Sequence, residues 1–168
     1  SLRNYDNNYR GFTTLREAIT NSINVVTVKT LTEIGTQVGF DYLDDFGFTT
    51  IVPEDNTQSL CLGGLTKGVY NLELTAAYAT IANGGTYTKP RFFTKILDHD
   101  GNVLIDNTPQ THTVLKDTTA WLITSAMKDV MTQGTGVAAN ISNMPVAGKS
   151  GTTTKNRDSL FAGFSPYY

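Results

Sequence analysis

Two helical runs meet at Asn21-Ser22 with almost no chain between them, and this elbow constrains the fold more than any other feature. Thr14-Leu15-Arg16-Glu17 fits a capping box, in which the Thr hydroxyl accepts one backbone N–H and the Glu carboxylate reaches back to another. Leu15, Ala18 and Ile19 then form a short apolar face, which Asn21 and Ser22 break. Asn24 is placed to cap a second helix, with Val25, Val28, Leu31 and Ile34 on its buried face and Gly35 as its stop. A rigid connection of this kind can aim polar side chains into a cleft.

Residues 40–48 read as a further short helix and turn. Asn71 is placed to cap the next helix, with Leu72, Leu74, Ala77, Tyr78 and Ile81 as apolar positions and Asn83-Gly84-Gly85 ending it. Residues 91–97 alternate like a strand, Asp100-Gly101 makes a hairpin turn, and residues 102–105 return. Asp117 then caps a long amphipathic helix over 117–131, with Trp121, Leu122, Ser125, Met127 and Val130 on its buried face. Gly134-Thr135-Gly136 terminates it; the tripeptide lacks the spacing and the lysine of a phosphate loop. Residues 145–153 and 160–168 read as a hairpin around the polar turn 154–158. Two strands alone are marginal, so more strands are required. The fold class is α+β, with helices packed on an antiparallel sheet.

Composition excludes several functions. With 168 residues, 39% hydrophobic and 17% charged, the chain can build a core and is not disordered. A net charge of −2, mixed in sign, offers no footprint for nucleic acid and no polybasic membrane patch. No run approaches the roughly 18 apolar residues of a membrane span, and Ser1-Leu2-Arg3-Asn4 is no signal peptide. Cys61 is the only cysteine, which excludes an internal disulfide and a cysteine metal cluster and suggests a buried structural thiol. His99 and His112 lie far apart and are given no catalytic role. No metal and no cofactor is expected.

Two motifs carry chemistry: Ser22-Ile23-Asn24 at the elbow and Lys149-Ser150-Gly151 on the first hairpin strand. Serine acylation needs an activated hydroxyl, a proton carrier and donors for the developing oxyanion. An ammonium at Lys149 favours anions nearby, hydroxyls at Ser150 and Thr152 can bind a carboxylate, and Gly151 lets a substrate backbone lie close. Either motif alone is commonplace; their order and surroundings give them weight.

Those surroundings resemble the class A, bifunctional penicillin-binding proteins along the whole chain. The matching stretches are residues 11–19 leading into Asn21-Ser22-Ile23-Asn24-Val25, Leu62-Gly63-Gly64 through Gly68-Val69, residues 74–79 with Ala82-Asn83-Gly84-Gly85, and Pro90. Gly134-Thr135-Gly136, residues 147–153 and residues 161–166 complete the series. The resemblance implies a partial serine β-lactamase/transpeptidase fold. It also implies part of a D,D-transpeptidase that cross-links peptidoglycan at D-Ala-D-Ala stem peptides through a serine acyl-enzyme and is trapped by β-lactams. Carried over by position, Ser22 relays a proton, Asn24 holds the donor amide and orients the nucleophile's lysine, and Lys149 supports Ser22. Ser150 and Thr152 hold the substrate carboxylate beside Gly151, and the Thr152 N–H gives half of an oxyanion hole.

The family's nucleophile motif, Ser-x-x-Lys, precedes Ser-x-Asn. Residues 1–168 are therefore expected to form an incomplete domain, lacking that segment and the final strands, inactive alone and completed by the N-terminal part of the same domain. The implied location is the outer face of the bacterial cytoplasmic membrane, with the anchor elsewhere. Ser125-Ala126-Met127-Lys128 is a literal Ser-x-x-Lys, but in the wrong order and inside a structural helix. A non-catalytic module that binds stem peptides or a protein partner is the alternative. A β-lactamase fits less well, since no deacylating carboxylate is recognisable. Missing packing partners would leave apolar faces exposed and the free chain marginal or oligomeric.

Overall fold

Thr14 opens the first helix as expected: its hydroxyl accepts the Glu17 N–H and the Glu17 carboxylate accepts the Thr14 N–H. In this computed structural model, which describes residues 3–153 and 158–167, the helices α1 (Leu15–Thr20), α2 (Asn24–Ile34) and α3 (Thr36–Asp45) are joined by connections of three residues and of one. Gly35 separates α2 from α3 at φ 95°, a left-handed conformation that suits glycine and ends the helix. Two 3₁₀ turns, Pro53–Asp55 and Gln58–Leu62, lead to α4 (Asn71–Ala82).

The strands form three separate antiparallel ladders among the described residues. β1 (Thr86–Thr88) pairs with β4 (Thr111–Thr113), β2 (Lys95–Leu97) with β3 (Val103–Asp106), and β5 (Ala147–Thr152) with β6 (Ser159–Phe164). Between β4 and β5 runs α5 (Asp117–Gln133), which lies across β5 and touches α1 and α4. Its Ala120, Ala126, Met127, Val130 and Met131 are the centre of the core, Val130 at 0% and Met131 at 1% exposure. The α+β expectation holds, with the antiparallel pairing divided among these ladders.

Several local expectations change. Asn24, Asn71 and Asp117 are each the first helical residue, and the extended caps are Ile23, Tyr70 and Lys116. The third helix starts at Thr36, not at 40, and the strand expected over 91–97 is confined to 95–97. Trp121 and Leu122 lie on the exposed side of α5, at 68% and 56% exposure. One residue along a helix is a rotation of about 100°, so the neighbours of Ala120 turn outward when Ala120 turns in. Leu15, Ile34 and Leu72 are exposed as well, while Thr20 and Thr80 are buried. The hairpin of β5 and β6 forms in the expected pairing; residues 154–157 of its turn, and Tyr168, lie outside the described residues.

Candidate active site

The elbow is held by main-chain hydrogen bonds. Asn21 donates to Glu17 O, Ser22 to Ile19 O and Ile23 to Ala18 O. These force Ser22 to φ 53°, a left-handed conformation that costs a serine about 1 kcal/mol or more and persists only where its surroundings impose it. Ile23, at 4% exposure, anchors the bend in the core. The Ser22 hydroxyl is thereby presented between α1 and α2.

One of the free N–H groups in the first turn of α2, that of Val25, is satisfied from a distance. Asn4, buried at 8% exposure, accepts the Val25 N–H on Oδ1 at 3.1 Å and donates from Nδ2 to Asn8 O at 2.6 Å. The Asn24 side chain consequently has no capping duty, and it makes no hydrogen bond among the described residues. It sits half-buried at the start of α2, two residues from Ser22.

The second segment approaches from β5. Val146, Ala147 and Gly148 are buried under α5, and Lys149 emerges from them. Its ammonium donates to Ser22 Oγ and to Ser150 O, the latter at 2.9 Å. No carboxylate pairs with Lys149 among the described residues, and burial pushes its pKa below the ordinary lysine range. An ammonium that donates to Ser22 Oγ leaves the serine's own proton free to go to a third atom. Such a pair can act as a proton donor backed by a positive charge.

Ser150 lies beside this pair, and Thr152 follows on the same face of β5 by strand alternation. Gly151 has open space where a side chain would stand, and the end of the strand around it is exposed. Ser22, Lys149 and Ser150 are thus brought together; Asn24 is near and unengaged; Gly151 and Thr152 extend the site along the strand. Sequence reasoning missed Thr135, whose hydroxyl accepts a hydrogen bond from Ser150 Oγ at 3.2 Å.

Other candidates fall away. Ser125 accepts a hydrogen bond from Arg16, which also pairs with Asp129 at 2.6 Å, so this hydroxyl is part of the α1–α5 seam. His112 stacks near Tyr87 and contacts Asp45 O at 2.8 Å, and His99 is an exposed partner of Asp100. Cys61 donates to Gln58 O, and burial pushes its thiol pKa up, away from reactivity. No cluster of three metal-ligating side chains exists among the described residues. A cavity of about 710 Å³ between α4, α5 and β6 includes none of Ser22, Asn24, Lys149 or Ser150. Convergent polar groups identify the site better than volume does.

Residues 1–167 match the model of the penicillin-binding protein transpeptidase domain. Penicillin-binding protein 1F of Bacillus subtilis is 37% identical over 170 residues, covering 98% of this chain and 23% of its own length. Penicillin-binding protein 1A of Aquifex aeolicus is 38% identical over 165 residues, covering 98% of this chain and 22% of that protein. The chain thus spans about a fifth of such relatives. Among solved structures, the D,D-transpeptidase domain of a peptidoglycan glycosyltransferase from Eggerthella lenta superposes with a TM-score of 0.80 at 24% identity, over 98% of this chain and 48% of that one. Penicillin-binding protein A of Mycobacterium tuberculosis, solved as an imipenem acyl-enzyme complex, gives 0.76 at 20% identity, over 98% and 42%. At these identities the structural likeness is one of fold.

Proposed function

The chain belongs to the penicillin-binding protein transpeptidase family, and from that membership we propose that it supplies the proton-donating and carboxylate-binding half of a D,D-transpeptidase site. The contact of Lys149 with Ser22 carries the reading, because it unites two motifs 127 residues apart. The donor is a peptidoglycan stem peptide ending in D-Ala-D-Ala, and β-lactams occupy the same place. The nucleophile comes from a Ser-x-x-Lys segment outside these 168 residues, packed against them as part of the same domain. Exposed Trp121, Leu122 and Phe92, together with the apolar groove beside β6, support such a packing partner.

The chemistry divides as follows. The nucleophilic hydroxyl adds to the carbonyl carbon of the penultimate D-alanine and loses its proton to a base in its own segment. Electrons on the carbonyl oxygen are stabilised by two N–H donors, one from Thr152 and one from the nucleophile. The C–N bond then breaks, and the departing nitrogen takes the proton of Ser22, which Lys149 replaces. An amine of a second stem attacks the ester, the serine oxygen leaves and is reprotonated, and a new amide joins the stems. Asn24 hydrogen-bonds the donor amide and orients the nucleophile's lysine, while Ser150 and Thr152 hold the terminal carboxylate beside Gly151. The whole protein works at the outer face of the bacterial cytoplasmic membrane. No described helix is long and apolar enough to cross a membrane.

Fluorescent penicillin tests the reading. A longer polypeptide that includes the upstream Ser-x-x-Lys should label covalently, and the 168-residue chain should not. Labelling of the short chain, or an upstream sequence without Ser-x-x-Lys, would overturn it.

A further inference from the structure

We infer that Thr135 is a positioning residue for the substrate carboxylate, acting through Ser150. This rests on the transpeptidase reading and adds to it a residue outside the three family motifs. The Gly134-Thr135-Gly136 loop does more than end α5. Gly134 passes so close to α1 that a Cβ on it would stand 2.2 Å from Thr20 O, so only glycine fits there. Thr135 N–H donates to the same Thr20 O at 3.2 Å, and Gly136 N–H donates to Val130 O at 2.9 Å. Thr20 is buried at 5% exposure, two residues before Ser22. The loop is therefore pinned to the elbow by its main chain.

The threonine side chain takes no part in that pinning. Thr135 is exposed, and among the described residues its hydroxyl has one hydrogen-bond partner, Ser150 Oγ. The Ser150 main chain is fixed independently, by its pairing with Phe161 across the ladder and by the Lys149 ammonium on its carbonyl. What remains free is the direction of the Ser150 proton, and Thr135 governs it.

A serine hydroxyl has one proton to donate. Without ligand, Ser150 spends that proton on Thr135 Oγ1. When a carboxylate lies beside Ser150, the Ser150 proton turns to the anion and the Thr135 proton takes over the bond in the reverse direction. No hydrogen bond is lost in the exchange, and the two aligned hydroxyls polarise each other toward the charge. A side chain without a hydroxyl at 135 would leave Ser150 an incompletely supported donor.

The test uses the longer transpeptidase polypeptide with two thioester donors, one ending in a free carboxylate and one capped there as the methyl amide. The second-order acylation rate is measured for each. Thr135→Val should lower the rate with the free carboxylate by up to about tenfold, the upper scale of one neutral hydrogen bond, and move the capped donor less than about twofold. Thr135→Ser should restore the difference between donors, and Thr135→Ala should repeat the valine result. Equal losses with both donors would make Thr135 a structural residue and overturn the inference, as would undiminished discrimination in the valine and alanine variants. If the unmodified protein reacts with neither donor and does not label with penicillin, the transpeptidase reading fails first and the inference with it.

Discussion

The Lys149 ammonium donates to Ser22 Oγ, joining the middle of β5, where the strand leaves the core, to a helix elbow 127 residues earlier. Neither partner could reach the other by local structure. Ser22 is presented by a left-handed residue between two helices, and Lys149 by a strand whose preceding residues are buried under α5. The left-handed backbone at Ser22 places its hydroxyl where the lysine ammonium can donate to it.

Ser22 and Lys149 should behave as one catalytic unit. Ser22→Ala removes the relay proton, and Lys149→Met removes the charge that polarises it. Each should reduce penicillin acylation of the longer polypeptide by about 10²- to 10³-fold, the range of general acid catalysis. The double variant should be little worse than either single one, since the second change removes nothing that still works. Two losses that simply multiply would mean the residues act independently.

The pH dependence follows from the burial of Lys149, which lowers its pKa in the folded state. Between that lowered value and the ordinary lysine value, the unfolded chain binds more protons than the folded one. Folding stability due to this group therefore rises as pH climbs through the window. Acylation moves the other way, because deprotonation takes away the proton that replaces Ser22's own. The rate should fall on an alkaline limb below the ordinary lysine pKa, and Lys149→Arg should shift that limb upward. A limb that stays put in the arginine variant would assign it to another group.

What was legible in the sequence was local. The Thr14–Glu17 box, the break at Asn21-Ser22, the stop at Gly35 and the pairing of residues near 147–152 with those near 159–164 all rest on neighbouring residues or strand period. The two candidate motifs were readable as short runs of sequence, and the structure brings Ser22, Lys149 and Ser150 of those runs together. Distant partners were not legible. Asn4 caps α2 across 21 residues, and Thr135 meets Ser150 across 15; neither leaves a trace in spacing. The β1–β4 ladder joins two threonine-rich strands of three residues, too short and too polar to show alternation. The buried face of α5 misled because its inner seam includes Ala120 and Ala126, while the large Trp121 points out.

Asn4 and Asn24 offer a direct comparison. Asn4 caps α2 and Asn24 does not, although Asn24 stands at the position where a cap was expected. Asn4→Ala leaves the Val25 N–H without its partner and should cost about 1 to 2 kcal/mol, the usual scale for a lost N-cap. Asn24→Ala should change stability by no more than about 0.5 kcal/mol while reducing acylation, as the proposed contact of its amide with the donor requires. Thermal melting of both variants, with hydrogen exchange at the Val25 amide, separates the two roles. Faster exchange at Val25 in Asn24→Ala than in Asn4→Ala would reverse the assignment.

Asp55 should set the acid limit of the fold around the site. It is buried at 2% exposure, and its carboxylate accepts the Thr66 hydroxyl at 2.6 Å, the Thr66 N–H at 2.7 Å and the Val52 N–H at 3.1 Å. Those donors hold its pKa below the ordinary carboxylate value, with the Thr66 hydroxyl the largest cause. A depressed carboxylate contributes its stability fully above the unfolded pKa, about 4, and loses it as pH falls through the folded value. The clip ties the turn at Pro53–Asp55 to the approach to α4, beside the Gln58–Leu62 turn, which packs on α2 and hydrogen-bonds through Gln58 to Thr32 near that helix's C-terminal end. Asp55→Asn keeps the volume but sets an amide N–H against a backbone N–H. It should lower the melting temperature at pH 7 and narrow the gap to the unmodified chain as pH drops below about 4. An equal gap at pH 7 and pH 3 would show that the charge on Asp55 is not what holds the clip.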